Sequence, residues 1–354
     1  MWGNCDEAVD EGLVHYGNGR IYCTRNAHHV FASLHLLPDF SYSSTDRGAA
    51  FDYVHRRTDQ ADIYFVRNMN NSSAKATMSF RVHGRAPELW QVDTGESAPV
   101  LIYREKGDQT EIPLSIPAFG SVFVVFEKPS TTHLIALHHD GASVFPSMEP
   151  GTGVYGSARS ELNLSEPGTY VEDLSNGSHL TMQVAASAPI PSLAQTWTLS
   201  FPPDWGAPAS ISMPTLESWT ASSIPGVRYF SGTATYTNMI DVPPGLLNTH
   251  HEVWMNLGDV REVATVAVNG TDLRTLWHGP FTLRIDHALH QGKNAISIRV
   301  TNLWPNRLIG DKQPTSTVHY THTNIDAYDK DSPLLPSGLL TPVTFLITDT
   351  ARMD

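Results

Sequence analysis

Short runs of alternating apolar and polar residues, separated by turn residues, are the feature that most constrains the fold of this chain. The clearest is 263–274, where two such runs meet at Asn269-Gly270. An Asn-Gly pair supplies the positive φ angles of a two-residue hairpin turn, and strict alternation turns one face of each strand inward. Residues 169–184 have the same form around Asn176-Gly177. The sequence therefore predicts antiparallel β-structure assembled from hairpins.

The composition agrees with a β-rich fold. The 354 residues include 25 Gly and 24 Pro, and only 17% are charged, which suits many turns better than a helical bundle. The one strong helical pattern is 28–37, ending before Pro38. We predict a mainly β fold: a small antiparallel β-sandwich at 41–130, then a jelly-roll β-sandwich at 131–354. A hairpin at 17–19 and the short helix suggest an α/β remnant at 1–40.

The charge balance bears on partners. The formal net charge is −13, and the pair Arg56-Arg57 is the densest basic spot near a motif. This argues against nucleic acid and anionic membranes as partners. No apolar run approaches the roughly 18 residues that span a bilayer. The acidic residues 1–11 do not form a signal peptide. The chain is expected to begin inside a domain, and its localisation stays open.

Two kinds of covalent modification are left open by the sequence. Cys5 and Cys23 are the only cysteines, and they either close one disulfide or remain as two thiols. N-glycosylation acceptor tripeptides, which matter only in a secreted chain, begin at Asn70, Asn71, Asn163, Asn176 and Asn269.

The segment 302–311 contains several polar side chains close together. It combines two amides, an indole, a guanidinium and a carboxylate with Pro305 and Gly310. Because proline lacks a ladder donor and glycine permits a sharp turn, we expect a polar loop rather than a helix or strand. The alternative is an Arg307–Asp311 pair with Trp304 filling an edge of the core. The candidates for contact with a sugar or a neighbouring domain are Asn302, Trp304, Asn306, Arg307 and Asp311.

Aromatic side chains provide a second set of candidates, since their faces stack on sugars. Trp277 and Phe281 flank a Gly-Pro turn, and they either contact a sugar or another domain, or seal one end of the sandwich. Further candidate platforms are Trp197, Trp205, Trp219 and Trp304.

A third set comprises His55, Arg56, Arg57 and Asp62. Arginines beside a carboxylate keep it ionised, which favours an ion-pair network over a general acid. Alternatively, these residues face an adjoining domain and shape a pocket mouth. The pairs at 138–139 and 250–251 are adjacent histidines, which point to opposite faces of a strand, so no metal site is assigned to them.

Seven runs along the chain carry a resemblance to known proteins: 56–66, 229–236, 257–260, 268–270, 277–281, 302–311 and 334–340. Taken together and in this order, they resemble glycoside hydrolase family 106, the α-L-rhamnosidases. Two of them, 229–236 and 268–270, also resemble the sugar-binding jelly rolls of family 2 glycosidases.

The resemblance implies enzymes with a catalytic (β/α) barrel, a flavodoxin-like domain and C-terminal β-domains. Such enzymes are calcium-assisted inverting hydrolases with two glutamates. By this resemblance the chain corresponds to the C-terminal region without the barrel, and its last domain is galactose-binding-like. No catalytic residue and no cofactor is assigned, and calcium has no identifiable ligands here.

Three functions follow as hypotheses. The first is an accessory region of a rhamnosidase-like hydrolase, inactive alone, with the catalytic barrel as partner in cis or in trans. The second is a free-standing protein that binds carbohydrate, such as a rhamnose-bearing glycan. The third is a structural relic that needs a partner, which predicts an exposed apolar patch within 1–38.

Overall fold

The computed structural model describes residues 12–23, 26–148, 155–156, 161–164, 166–185, 190–248 and 251–352. The fold is mainly β, with several antiparallel sheets, as predicted. A first hairpin pairs Gly12–Tyr16 with Gly19–Cys23. Helices are short: Ala27–Ser33, Pro225–Arg228 and Pro305–Asp311, with 3-10 turns at Trp219–Ala221 and Asp286–Ala288. Within the described residues, no helix is long and apolar enough to cross a membrane.

Two sheets and one core occupy the first half of the chain. Sheet I has the strand order Phe40–Ser43, Ala74–Phe80, Gln109–Ile116 and Arg104–Lys106. Sheet II has the order Phe51–Arg57, Asp62–Asn68, Ser121–Pro129, Arg85–Gln91 and Ser97–Pro99. Alternate residues of both sheets share one hydrophobic cluster that includes Tyr64, Met78, Phe80 and Phe126, because one face of each strand is apolar.

Three further sheets and one short strand pair are formed by the rest of the chain. Sheet III has the order Ala142–Ser143, Leu134–His139, Gly168–Leu174 and His179–Val184. Sheet IV has the order Tyr155–Gly156, Glu161–Leu164, Thr344–Arg352, His251–Asn256 and Thr282–Arg284. Sheet V has the path Ser210–Met213, Trp197–Ser200, Thr233–Val242, Gly292–Thr301, Val263–Val268 and Thr271–Leu276, with Ser192–Leu193 beside Thr233–Val242. Val260–Arg261 pairs with Gly338–Leu339.

Sheets IV and V share the largest core. Val253 and Met255 come from sheet IV, whereas Tyr236, Val266 and Ile298 come from sheet V, and all five side chains are fully buried in one cluster. At about 25 cal/mol for each Å² of apolar surface removed from water, this core is the main stabilising element of the second half.

The predicted hairpins are confirmed. Val263–Val268 pairs with Thr271–Leu276 around Asn269 and Gly270, whose φ angles of 51° and 81° belong to the left-handed region that such a turn requires. Gly168–Leu174 likewise pairs with His179–Val184.

Two local predictions are wrong. The segment predicted as a polar loop contains the helix Pro305–Asp311, because proline at the first helical position lacks only a donor that would be unpaired there in any case. The helical pattern at 28–37 yields only Ala27–Ser33. The chain then leaves the helix through His35, whose φ is 54°. Cys23 is bonded in a disulfide, and Cys5 lies outside the described residues.

Candidate functional site

The two side-chain amides of the 302–311 segment are buried and form hydrogen bonds to distant parts of the chain. Asn302 accepts a 2.8 Å hydrogen bond from the Gly232 amide and donates to the Ser337 hydroxyl at 3.0 Å. Asn306 donates to the same hydroxyl at 2.9 Å and exchanges two hydrogen bonds with the Leu335 backbone. Because buried amides must be paired, these two side chains fix the 335–337 segment against the helix.

Asp311 fixes a second segment to the same helix. One carboxylate oxygen accepts from Arg307 Nε at 3.0 Å, in the pair that the sequence offered as an alternative. The other oxygen accepts from the Tyr320 and Thr321 amides at 2.9 and 2.8 Å, and from the Thr321 hydroxyl at 2.7 Å. Asp311 and Arg307 are 5% and 4% exposed. The carboxylate is therefore an internal anchor.

Trp304 and Trp277 are the exposed aromatics of the predicted set. Their exposed fractions are 63% and 62%, so Trp304 does not fill a core edge and Trp277 does not seal the sheets. Phe281 is partly buried against the main core. Trp197 and Trp219 are core residues and offer no platform, whereas Trp205 stacks on Tyr320.

The predicted cluster on sheet II is an ion-pair network around a buried carboxylate. Asp62 is 3% exposed and accepts from Arg57 Nε at 2.8 Å, with His55 Nε2 at 3.1 Å and Arg85 Nη1 at 3.5 Å. His55 and Arg57 share a strand face by alternation, and Arg56, on the other face, is exposed.

Asp39, which sequence reasoning missed, completes this network from outside sheet II. Its carboxylate lies 2.7 Å from His55 Nδ1 and 2.9 Å from Arg81 Nη2. Burial alone would raise the pKa of Asp39, but the hydrogen bonds from His55 and Arg81 lower it below its usual range. No local sequence pattern predicts a role for Asp39, because only the tertiary structure brings its carboxylate next to His55.

A cleft of about 180 Å³ lies where the Trp277 turn meets sheet II. Its walls carry Trp254, Trp277 and two ion pairs, His278 Nε2–Asp93 at 2.9 Å and Arg274 Nη2–Glu96 at 3.3 Å. Asp93, Glu96, Arg274 and His278 were missed by sequence reasoning, since they come together only by docking of distant segments. The cleft combines aromatic and other apolar surface with charged side chains, which is the combination that the apolar faces and the hydroxyls of a sugar can contact. An apolar pocket of about 40 Å³ beside Leu101 is too small for a sugar ring.

The His278–Asp93 pair makes stability depend on pH. Burial lowers the pKa of His278, but hydrogen bonds to the Gly279 carbonyl and to Asp93 outweigh burial and raise it. A raised folded-state pKa means that the stabilisation is complete below the unfolded pKa of about 6.5 and is lost as pH rises through the folded-state value.

We therefore expect the wild-type chain to lose more stability than His278→Gln between about pH 5.5 and about pH 8.5, as measured by urea unfolding. His322→Gln, which removes an exposed imidazole, should keep the wild-type pH dependence. Equal pH dependence of His278→Gln and wild type would contradict this role.

Across the ranges given above, no group of three or more His, Cys, Asp or Glu side chains is arranged to hold a metal ion.

Comparison with known proteins decides the family resemblance. The model of the alpha-L-rhamnosidase family, glycoside hydrolase family 106, matches residues 1–105. The chain is similar to the α-L-rhamnosidases. A solved rhamnosidase from Novosphingobium sp. PP1Y is 32% identical and superposes with a TM-score of 0.72, covering 95% of this chain and 27% of its own. The rhamnosidase-like chain is thus a glycosidase-related protein.

A further relative is named for another sugar. A protein of Formosa agariphila, provisionally described as a beta-glucuronidase, is 24% identical over 87% of this chain and 44% of its own length. The rhamnosidase-like chain therefore spans less than half of this relative and about a quarter of the solved rhamnosidase.

Proposed function

We propose that the chain is an accessory, carbohydrate-contacting β-region of an α-L-rhamnosidase-like glycoside hydrolase, without hydrolytic activity by itself. The observation that carries this proposal is the cleft that places exposed Trp277 beside two ion pairs. An indole face stacks on the apolar face of a sugar. Carboxylates accept hydrogen bonds from the sugar hydroxyls, and cationic side chains donate hydrogen bonds to them. The domain division at 41–130 and 131–354, with a small sandwich and a galactose-binding-like jelly roll, is part of this proposal.

The ligand class follows from the relatives. The solved relative is a rhamnosidase, so a rhamnose-bearing glycan is the first ligand to test. We expect Trp277→Ala to weaken binding of such an oligosaccharide about tenfold, the loss of roughly 1.4 kcal/mol of stacking. The measurement is calorimetric titration of the purified chain.

Trp304→Ala is the matched control, because Trp304 has almost the same exposure as Trp277 and does not line the cleft. It should bind as the wild type does. If Trp304→Ala weakened binding and Trp277→Ala did not, the sugar contact would lie at the 302–311 segment instead. Rhamnoside hydrolysis by the isolated chain, abolished by changing one carboxylate, would contradict the accessory role.

A second candidate role is docking of the catalytic barrel, in cis or in trans. Exposed apolar side chains around the helix Ala27–Ser33 favour it: Phe31, Leu34, Leu36 and Leu37 are 52%, 38%, 51% and 44% exposed. Apolar surface gathered in one place marks a contact site. A monomeric chain that binds no hydrophobic dye would argue against this role.

A further inference from the structure

A second cavity, distinct from the Trp277 cleft, lies beside the helix Pro305–Asp311. Its volume is about 180 Å³, larger than a single water molecule needs, and it shares no lining residue with the Trp277 cleft. The wall residues include aromatic rings and side chains that can hydrogen-bond: Tyr229, Arg307, Gln313, Thr315, Ser316, Thr317 and Tyr320.

Arg307 is the side chain that makes this cavity a candidate site. It is 4% exposed, its guanidinium carbon lies 4.7 Å from the centre of the Tyr320 ring, and its Nε is held by Asp311. Within the described ranges, its two terminal nitrogens have no hydrogen-bond partner. Neither nitrogen is among the solvent-inaccessible polar atoms of the described residues that lack a partner, so both are open to solvent and can donate to an acceptor that enters the cavity.

The surrounding backbone leaves room for that guanidinium. A Cβ atom on Gly310 would lie 2.5 Å from Arg307 Nη2 and 2.5 Å from Tyr229 Cβ, so only glycine permits this close approach. Asp311 fixes Nε from one side, and the Tyr320 ring covers one face of the guanidinium. The edge with Nη1 and Nη2 is therefore held in a fixed orientation at the cavity wall.

We propose that this cavity binds a monosaccharide-sized ligand that carries a carboxylate, such as a uronic acid. The two oxygens of a carboxylate match the paired nitrogens of a guanidinium edge. The hydroxyls of Thr315, Ser316 and Thr317 can pair with ring hydroxyls, and Tyr229 and Tyr320 provide aromatic surface. This inference does not rest on the role of Trp277, since the two cavities are separate.

The test is calorimetric titration of the chain with glucuronate, glucose and sulfate. We expect glucuronate to bind at least about tenfold more tightly than glucose, as a charge-assisted hydrogen-bond pair requires. Sulfate should bind more weakly than glucuronate. Equal affinity for glucose, sulfate affinity equal to that of glucuronate, or no binding of glucuronate would each overturn the proposal.

Variants locate the site. Arg307→Lys keeps the charge but loses the planar edge, and we expect glucuronate affinity to fall about tenfold. Because Arg307 is buried, Thr317→Trp serves as a second variant: this exposed position on the rim should obstruct the cavity with little effect on the core. Thr271→Trp, at an exposed position outside the cavity, and Trp277→Ala should both bind glucuronate normally. Glucuronate binding that survives Thr317→Trp, or that is lost in Trp277→Ala, would overturn the assignment.

Discussion

Replacing Asp311 with alanine is expected to destabilise the chain by about 3–5 kcal/mol, the usual cost of leaving a buried charge without its partner. Arg307 would keep its charge at 4% exposure and lose its ion pair. The amides of Tyr320 and Thr321 would lose their shared acceptor as well. The measurement is equilibrium urea unfolding followed by circular dichroism.

Asp331→Ala is the control for this result. Asp331 also forms an ion pair, with Lys330 at 2.6 Å, but its side chain is 78% exposed. Exposed pairs contribute at most about 1 kcal/mol, so this variant should unfold almost as the wild type does. If Asp311→Ala cost no more than Asp331→Ala, the anchor role of Asp311 would be wrong.

The second large effect is expected at Gly338, in the short strand Gly338–Leu339. Its φ is +96°, and a Cβ there would lie 2.4 Å from Trp219 Nε1 and 2.5 Å from the Tyr236 hydroxyl. Those two groups form a buried 2.6 Å hydrogen bond. Burial raises the pKa of Tyr236 to about 12. Gly338→Ala must displace this pair, and we expect a loss of about 3 kcal/mol or more.

Gly177→Ala is the control that separates the cost of backbone strain from the cost of steric overlap with neighbouring side chains. Gly177 also has a positive φ, +84°, but no atom lies within 4 Å of the position that a Cβ would take there. Only the backbone cost of roughly 1–2 kcal/mol applies at this residue. Urea unfolding of both variants should show the larger loss for Gly338→Ala, and equal losses would show that the contact with Trp219 and Tyr236 costs nothing.

The local sequence was sufficient to predict those turns and strands that depend only on neighbouring residues. The turn at Asn269-Gly270 and the hairpin of Gly168–Leu174 with His179–Val184 lie where alternation and turn chemistry place them. The same reasoning failed at Pro305, because a proline that ends one helix can also begin another, and only the following contacts decide which. It also treated Trp197 and Trp219 as candidate surface platforms, since the local sequence around a tryptophan does not show whether its side chain is buried.

The residues of the candidate sites likewise include some that the local sequence could predict and others that it could not. The pair Arg307–Asp311 was accessible to sequence reasoning because its members are oppositely charged and only four residues apart. Tyr320, which covers the guanidinium, is separated from Arg307 by a loop with no regular pattern. The Trp277 cleft depends on Asp93 and Glu96, which lie in a turn of sheet II far away in the sequence.

The β-rich class, the hairpins and the family resemblance could be predicted from the amino-acid sequence, because they depend on residue types at short spacing. The folded structure was needed to show that Asn302, Asn306 and Asp311 are internal anchors while Trp277 and Trp304 face outward. It was also needed to place the guanidinium of Arg307 at the wall of a cavity. Burial and hydrogen-bond partners are properties of segments distant in the chain, and a local pattern carries no information about which segments will meet.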